Sequence, residues 1–245
     1  MEREALSLRK DVWYAVVRAI ETTMPDYDRV NEKVSLGLAL KIRNQAADEL
    51  ALAPGMTVLD AGIGPGTMSE ILLSKSDGFT VVGLDASTTL LSAARERRSL
   101  RSSRDRIHLV RGVFEALPFR DDYFARIVSA YAFRDSRDRM KAITEFHRVA
   151  KNRGVFCVVD LGKPDARLKR AFVTVYVHYF APVIAWLFKT SAVNGNPWQA
   201  IFPTYKALDT NSKIAEHLRA RFSDVRIEEF GLGGMVIMYA GKALS

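Results

Sequence analysis

The sequence predicts an α/β protein built on a doubly wound, mostly parallel sheet, and three observations predict it. From residue 57 to about residue 161, short apolar runs alternate with stretches of helical periodicity. Several runs place apolar residues at consecutive positions, as Val81-Val82, Ile127-Val128 and Val155 to Val159 do, which suits strands covered by helices on both faces. The first run enters a glycine cluster that opens onto a helix-like segment. In order, the expected strands are Thr57 to Asp60, Phe79 to Leu84, Ile107 to Val110, Ala125 to Ala130 and Val155 to Leu161. Helices are expected at Thr67 to Lys75, at 88 to 98 behind a Ser87 cap, and at 136 to 151. A helix at Ser212 to Arg221 follows, and Val225 to Glu229 with Met235 to Ala240 close the chain as an antiparallel hairpin.

Two segments lie outside this rhythm. Residues 1–50 read as an N-terminal helical cap on a single structural domain, 51–245. Leu6, Leu8, Val12, Val16, Val17 and Ile20 fall at helical spacing, and Met24-Pro25-Asp26 breaks the pattern. A second helical stretch runs from about Asp28 to Leu52, stopped by Pro54-Gly55. Farther on, Phe172 to Phe188 contains no Asp, Glu, Lys or Arg. That length is at the lower edge of a membrane span, and His178, Thr174, Pro182 and the polar-tipped Tyr176, Tyr179 and Trp186 weaken that reading. The expectation is a helical lid at about 164–205, its apolar face covering a greasy substrate or the core.

Composition excludes several classes. With 48% hydrophobic and 26% charged residues, the chain is globular rather than disordered. One cysteine, Cys157, excludes an intramolecular disulfide and a multi-thiolate metal site. His108, His147, His178 and His217 are never paired at i, i+4, so no metal is expected. Met1 to Lys10 lacks the apolar core of a signal peptide, so a cytoplasmic protein is expected. The net charge is +8, and Arg95 to Arg106 and Arg134 to Arg153 each contribute +4. Such clusters suit anionic lipid or nucleic acid, or are ordinary solvated helix faces.

The most informative string is Asp60-Ala61-Gly62-Ile63-Gly64-Pro65-Gly66, between a strand and a helix. Glycines let the backbone turn tightly and approach a ligand, and the helix N-terminus offers free N–H donors. A dinucleotide fingerprint would need a third glycine at Thr67. A pyrophosphate would also be repelled by Asp60, whereas the amino group and sulfonium of S-adenosylmethionine would be attracted. Asp85 ends the second strand, where a carboxylate can accept both ribose hydroxyls or merely cap the next helix.

At these residues the chain resembles class I S-adenosylmethionine-dependent methyltransferases, a Rossmann-like fold. More narrowly it resembles the ubiquinone/menaquinone biosynthesis C-methyltransferases, from about residue 25 to the carboxyl end. Beside the glycine loop, the resemblance rests on Tyr27-Asp28-Arg29-Val30-Asn31 with Ser35-Leu36-Gly37, on Glu115 to Phe119, on Phe133-Arg134-Asp135, and on Leu161 to Pro164. It implies S-adenosylmethionine as cofactor, held by Asp60, Gly62, Gly64, Gly66, Asp85, Ala86, Val113, Phe114 and Ala130. Two departures stand out. Val113-Phe114 replaces a polar pair that contacts adenine, leaving Phe114 to stack on it. Asp135 replaces an amide, which puts a carboxylate beside Arg134.

The implied acceptor is a polyprenylated quinol, methylated at a ring carbon that becomes nucleophilic when the neighbouring phenol ionises. Such a site needs a proton acceptor or a cation for the phenolate. Arg134 can supply the cation, Asp135 can orient it or take the proton, Tyr27 can close over the cofactor, and His178 is a second base candidate. The plainer alternatives are Asp135 or Ser136 as a helix cap, Tyr27 as packing and His178 as an interior histidine. Other apolar acceptors, a terpenoid or a lipid, remain open. A nucleic-acid partner is not expected, for the chain has no Asn/Asp-Pro-Pro-Tyr/Phe string for a flipped base. Reversible contact with a membrane surface and a homo-oligomer stay open.

Overall fold

The computed structural model describes residues 8–189 and 197–244. The expectations of helix at residues 5–7 and of a lid continuing through 190–196 lie outside the described residues. The sheet has seven strands: β1 (Thr57–Ala61), β2 (Thr80–Asp85), β3 (Ile107–Arg111), β4 (Phe124–Ala130), β5 (Ala150–Leu161), β6 (Asp224–Phe230) and β7 (Met235–Gly241). Their spatial order is β3-β2-β1-β4-β5-β7-β6. The first five are parallel, and β7 runs antiparallel between β5 and β6. This is the expected doubly wound sheet with its closing hairpin. β5 begins five residues before the expected Val155, because Ala150 pairs with Phe124 across an irregular register.

Each face of the sheet carries its own core. Val58, Val81, Val128, Cys157 and Val159 face α3 (Leu38–Glu49) and α4 (Thr67–Lys75), packing on Ile42, Ala46 and Leu72. Leu59, Ala61, Ile127, Phe156 and Val158 face the other way, onto Phe146 of α7 (Arg139–Val149) and Leu218 of α11 (Asn211–Arg219). Neighbouring residues on a strand point to opposite faces, so a run apolar at every position is what two covered faces require. α5 (Thr88–Glu96) is capped as expected, Ser87 Oγ accepting from Leu90 N at 3.1 Å, but it ends before the expected residue 98, where the short α6 (Arg98–Arg101) begins.

The N-terminal helices depart from expectation at one break. α1 (Lys10–Thr23) and α2 (Tyr27–Val34) are separated by a short turn at Met24–Asp26 that contains Pro25. The stretch expected to run unbroken from Asp28 to Leu52 is interrupted before α3, because Leu36 (φ 55°) and Gly37 (φ 83°) are left-handed. The helix expected from residue 136 begins instead at Arg139, where Asp138 Oδ1 accepts from Lys141 N at 3.0 Å. Neither Asp135 nor Ser136 caps it.

Arg167–Phe188 forms a single helical stretch of 22 residues, long and apolar enough by length and composition to cross a membrane. It comprises α8 (Arg167–Val175), a wider π turn at Tyr176–Phe180 and α9 (Ala181–Phe188). The π turn falls where Pro182 has no N–H to return to the preceding turn. One face (Val173, Val177, Ala181, Ala185) is buried, and Tyr176 Oη donates to the Val34 carbonyl at 2.7 Å. Leu168, Phe172, Val175, Tyr179, Val183, Trp186 and Leu187 form the opposite, exposed face. α10 (Ile201–Lys206) follows, with Tyr205 packed on Val173 and Val177.

Candidate active site

In a sheet of this order the chain leaves β1 toward β2 on one side and reaches β4 on the other, opening a crevice beyond their carboxyl ends. The glycine loop after β1 lies there. Gly62 N and Ile63 N donate to the Leu84 carbonyl at 2.7 and 3.0 Å. The three glycines differ in purpose. A side chain at Gly62 would collide with Ala132 Cβ at 2.3 Å, whereas at Gly64 it would meet only open space, its nearest neighbour being the Gly62 carbonyl at 4.0 Å. Gly66, at φ 93°, faces Leu100 instead and would strike its Cδ1 at 2.5 Å. Gly62 and Gly64 therefore border the crevice, and Gly66 lets α4 close against the neighbouring helix.

Asp85 accepts from Gly64 N and from Ser87 N, both at 2.9 Å, one bond to each carboxylate oxygen. Burial raises its pKa, and the nearby Glu21 adds to the rise. Asp60 approaches the loop from behind. Its Oδ2 accepts from Ser69 Oγ at 2.6 Å on the α4 side, and its Oδ1 is buried without a hydrogen bond. Burial pushes Asp60 up to about 6 despite the Ser69 bond and the Arg43 charge.

The turn after β4 gathers the second group of candidates. Arg134 donates through Nη1 to Asp160 Oδ1 at 2.6 Å and to the Tyr131 carbonyl at 2.9 Å, and its backbone N reaches Asp160 Oδ2 at 2.9 Å. Its Nη2 stands 3.4 Å from Asp135 Oδ2. Burial opposes the guanidinium charge, but Asp135 and Asp160 outweigh it and hold the pKa above the ordinary value. Asp135 is the reverse case. Burial pushes it up to about 6 against the pull of Arg134 and of the Thr204 hydroxyl.

Two adjoining cavities meet at this turn. The smaller, about 90 Å³, is bordered by Gly62, Gly64, Asp85, Ala86, Val113, Phe114, Ala130, Glu115 and Asp135, with Trp13, Val16, Val17 and Ile20 of α1 across it. Its charged side chains are all acidic. The larger, about 520 Å³, is walled by α1, α2, α8, α9 and α10 and is almost wholly apolar; Arg134 is the one charged side chain among its described lining residues. Tyr27 and Tyr131 border both. The structure thus brings together Tyr27, Arg134 and Asp135 with Gly62, Gly64, Asp85, Ala86, Val113, Phe114 and Ala130. It does not bring His178, which is exposed between the rings of Tyr179 and Phe202 at 4.3 and 4.1 Å. Asp60 and Gly66 line neither cavity.

Three residues that the sequence reading passed over belong to this setting. Asp160, at the end of β5, orients Arg134. Tyr131 lies under the Arg43 guanidinium, 4.3 Å from its ring centroid. Asn31 borders the larger cavity with Nδ2 buried and unpaired. Only Asn31 had a signal, its place in the Tyr27 to Asn31 string.

The profile of the ubiE/COQ5 methyltransferase family matches residues 9–242, nearly the whole chain. The chain belongs to that family. It is 28% identical over 240 residues to a demethylmenaquinone methyltransferase of Renibacterium salmoninarum, covering 98% of this chain and 95% of that one. It is 29% identical over 230 residues to the ubiquinone/menaquinone biosynthesis C-methyltransferase UbiE of Geotalea uraniireducens, covering 91% and 93%. Its fold is similar to that of a SAM-dependent methyltransferase from Aquifex aeolicus, with a TM-score of 0.55 at 17% identity, covering 81% and 88%. The protein is an S-adenosylmethionine-dependent methyltransferase. The residues present fit that cofactor: open space above Gly64 admits a ligand, and an all-acidic lining suits a sulfonium and an ammonium where a pyrophosphate would be repelled.

Proposed function

We propose that the methyltransferase acts on a ring carbon of a polyprenylated hydroquinone of the demethylmenaquinol or ubiquinol-precursor type. The observation that carries this reading is the pairing of an acidic pocket at the glycine loop with an apolar chamber that holds a single cation. A small polar acceptor would not need such a chamber, and a charged one would not enter it.

The cofactor, when bound, supplies a methyl group on an electrophilic sulfonium. Asp85 and Ala86 are assigned to its ribose, Val113 and Phe114 to the adenine, Ala130, Gly62 and Gly64 to the remaining wall. Asp60 acts at longer range, through the loop it underlies. Asp135 takes the phenolic proton: its raised pKa suits a base working near neutral pH, and the adjacent Arg134 holds its carboxylate at the cavity junction. Arg134, held by Asp160, then faces the phenolate as a fixed positive charge and need not reorient. Tyr27 packs between the two cavities, and α1, α2, α8, α9 and α10 act as cap and lid that exclude water. The reaction belongs in the cytoplasm at the membrane surface, since several exposed apolar side chains also border the chamber (Leu36, Phe172 and Leu232).

The test is incubation with methyl-labelled cofactor and a membrane-lipid extract, in parallel with a purified demethylated quinol in detergent. Label on a ring carbon of a prenylated quinone is expected. Label confined to a terpenoid or a phospholipid would overturn the acceptor while leaving the methyltransferase assignment intact.

A further inference from the structure

Among the described residues, Val16, Ile20, Tyr27 and Tyr131 border both cavities, and of these only the two tyrosines carry a polar side-chain atom. Tyr131 has an unusual combination of fixed position and unused hydroxyl. Its backbone is left-handed, φ 62°, a conformation costly for an aromatic residue and kept only where the surroundings impose it. They do so at both ends of the residue. Tyr131 N donates to the Val159 carbonyl at 2.6 Å, and the Tyr131 carbonyl accepts from Arg134 Nη1 at 2.9 Å. The Arg43 guanidinium, buried in α3, sits over the ring and fixes its plane. Yet Tyr131 Oη is sealed from solvent and has no hydrogen-bond partner. A buried hydroxyl left unpaired is destabilising, so its persistence at a cavity junction points to a ligand atom that completes it.

Burial keeps this hydroxyl protonated, even with the Arg43 charge working the other way. It is therefore a donor, and the base is sought elsewhere, at Asp135. Resting on the hydroquinone reading above, we propose that Tyr131 Oη donates a hydrogen bond to the acceptor's ring oxygen next to the carbon that is methylated, sharing the phenolate charge with Arg134. The phenolic proton passes to Asp135 as the ring carbon takes the methyl group and the cofactor's sulfur keeps the bonding pair. The hydrogen displaced from that carbon then leaves as a proton to solvent, Asp135 returns its proton to the ring oxygen, and Tyr131 keeps its own throughout. The polar contact is then made at the boundary of the two cavities, where the acceptor ring meets the cofactor pocket.

Tyr131→Phe removes this one oxygen and leaves the ring under Arg43. Its test uses the full chain with S-adenosylmethionine, the demethylated quinol, and two inert ring analogues: an acidic hydroxynaphthoquinone, ionised at neutral pH, and its neutral methyl ether. Loss of one donor to a developing oxyanion lowers kcat by about 100-fold. Cofactor affinity should stay within about twofold, as befits a side chain that keeps its packing. Binding of the ionised analogue should weaken while that of the neutral ether does not. Unchanged kcat in Tyr131→Phe would overturn the proposal, and so would equal weakening of both analogues, which marks a merely structural role. A wild-type protein that leaves the quinol unmethylated would overturn the acceptor assignment and this proposal with it. A wild type that methylates the quinol, matched by Tyr131→Phe, overturns this proposal alone.

Discussion

Asp135 and Asp60 titrate in the same range for different reasons, and the difference is testable. Both are buried and both are pushed from 3.8 to about 6, but only Asp135 borders a cavity. If Asp135 is the base, kcat/KM should fall about tenfold for each pH unit below about 6, since the protonated acid cannot accept. Asp135→Asn should lower the plateau and remove that limb, whereas Asp60→Asn should leave it in place. Stability runs the other way. A carboxyl whose folded pKa lies above its unfolded value stabilises fully below about 3.8, and that contribution is lost as pH rises through about 6. A shift of that size is worth about 3 kcal/mol. Melting followed from pH 4 to 7 should therefore show a smaller loss in Asp60→Asn than in the wild type. Asp85 makes a third case, because it already holds Gly64 N and Ser87 N. Asp85→Asn keeps the size but removes the charge and leaves one of the two donors, Gly64 N or Ser87 N, without its acceptor. Hydrogen bonds to a charged group contribute ~1.5–3 kcal/mol, so calorimetry should find cofactor affinity lowered roughly 10- to 100-fold. Unchanged affinity would remove Asp85 from the ribose site.

At the scale of elements, α1 and α2 are tied to the cofactor side by side chains rather than by strand pairing. Ser87 Oγ donates to Glu21 Oε1 at 2.5 Å. Asp28 accepts from Thr67 Oγ1 at 2.5 Å and from Arg97 Nη1 at 2.9 Å, and Arg97 also reaches Glu70. One arginine of the first basic cluster is therefore structural. Asp28→Ala cuts two ties at once. The groups are partly solvated, so each is worth at most about 1 kcal/mol. Cofactor affinity should drop about threefold to tenfold, and the melting temperature should fall by no more than about 4–8 °C. The same elements explain what was legible in the sequence. The central strands were readable because both faces are covered and apolar residues stand at consecutive positions, as in Val58-Leu59, Val81-Val82, Ile127-Val128 and Val155 to Val159. The break at Leu36-Gly37 was not, because Leu36 fits a helical pattern and only its φ betrays the turn. Asp135 and Ser136 looked like caps by residue type, but Asp138 does that work and leaves Asp135 facing the Arg134 guanidinium. Asp160 and Tyr131 were hidden because both stand at strand ends, where an isolated polar residue carries no periodic signal. Phe114 borders the smaller cavity, 3.1 Å from the space a Gly62 side chain would take.

For the molecule as a whole, the larger cavity and the exposed apolar face belong to one surface. Leu36 is 72% exposed, Phe172 61% and Leu232 60%, yet all three also line the chamber. From Phe172 the apolar face continues through Tyr179 and Val183 to Trp186 and Leu187, with Arg167 and Lys169 exposed at its start. A surface of that length is unfavourable in water and fits the headgroup boundary of a bilayer, where Trp and Tyr rings are at home. Basic side chains that reach the surface add ~1 kcal/mol each, screened beyond ~8 Å at physiological salt. The methyltransferase should therefore float with anionic vesicles at low salt and release in part at high salt. Trp186 and Leu187 face outward and line neither cavity. Replacing both with Ser should abolish flotation and lower turnover of a long-tailed quinol presented in vesicles, while sparing a short-tailed quinol in solution. No flotation of the wild type at low salt would refute surface binding. Extraction by detergent alone would instead identify Arg167–Phe188 as a true span, a geometry that would have to pull its buried face away from α2 and open the chamber it now walls.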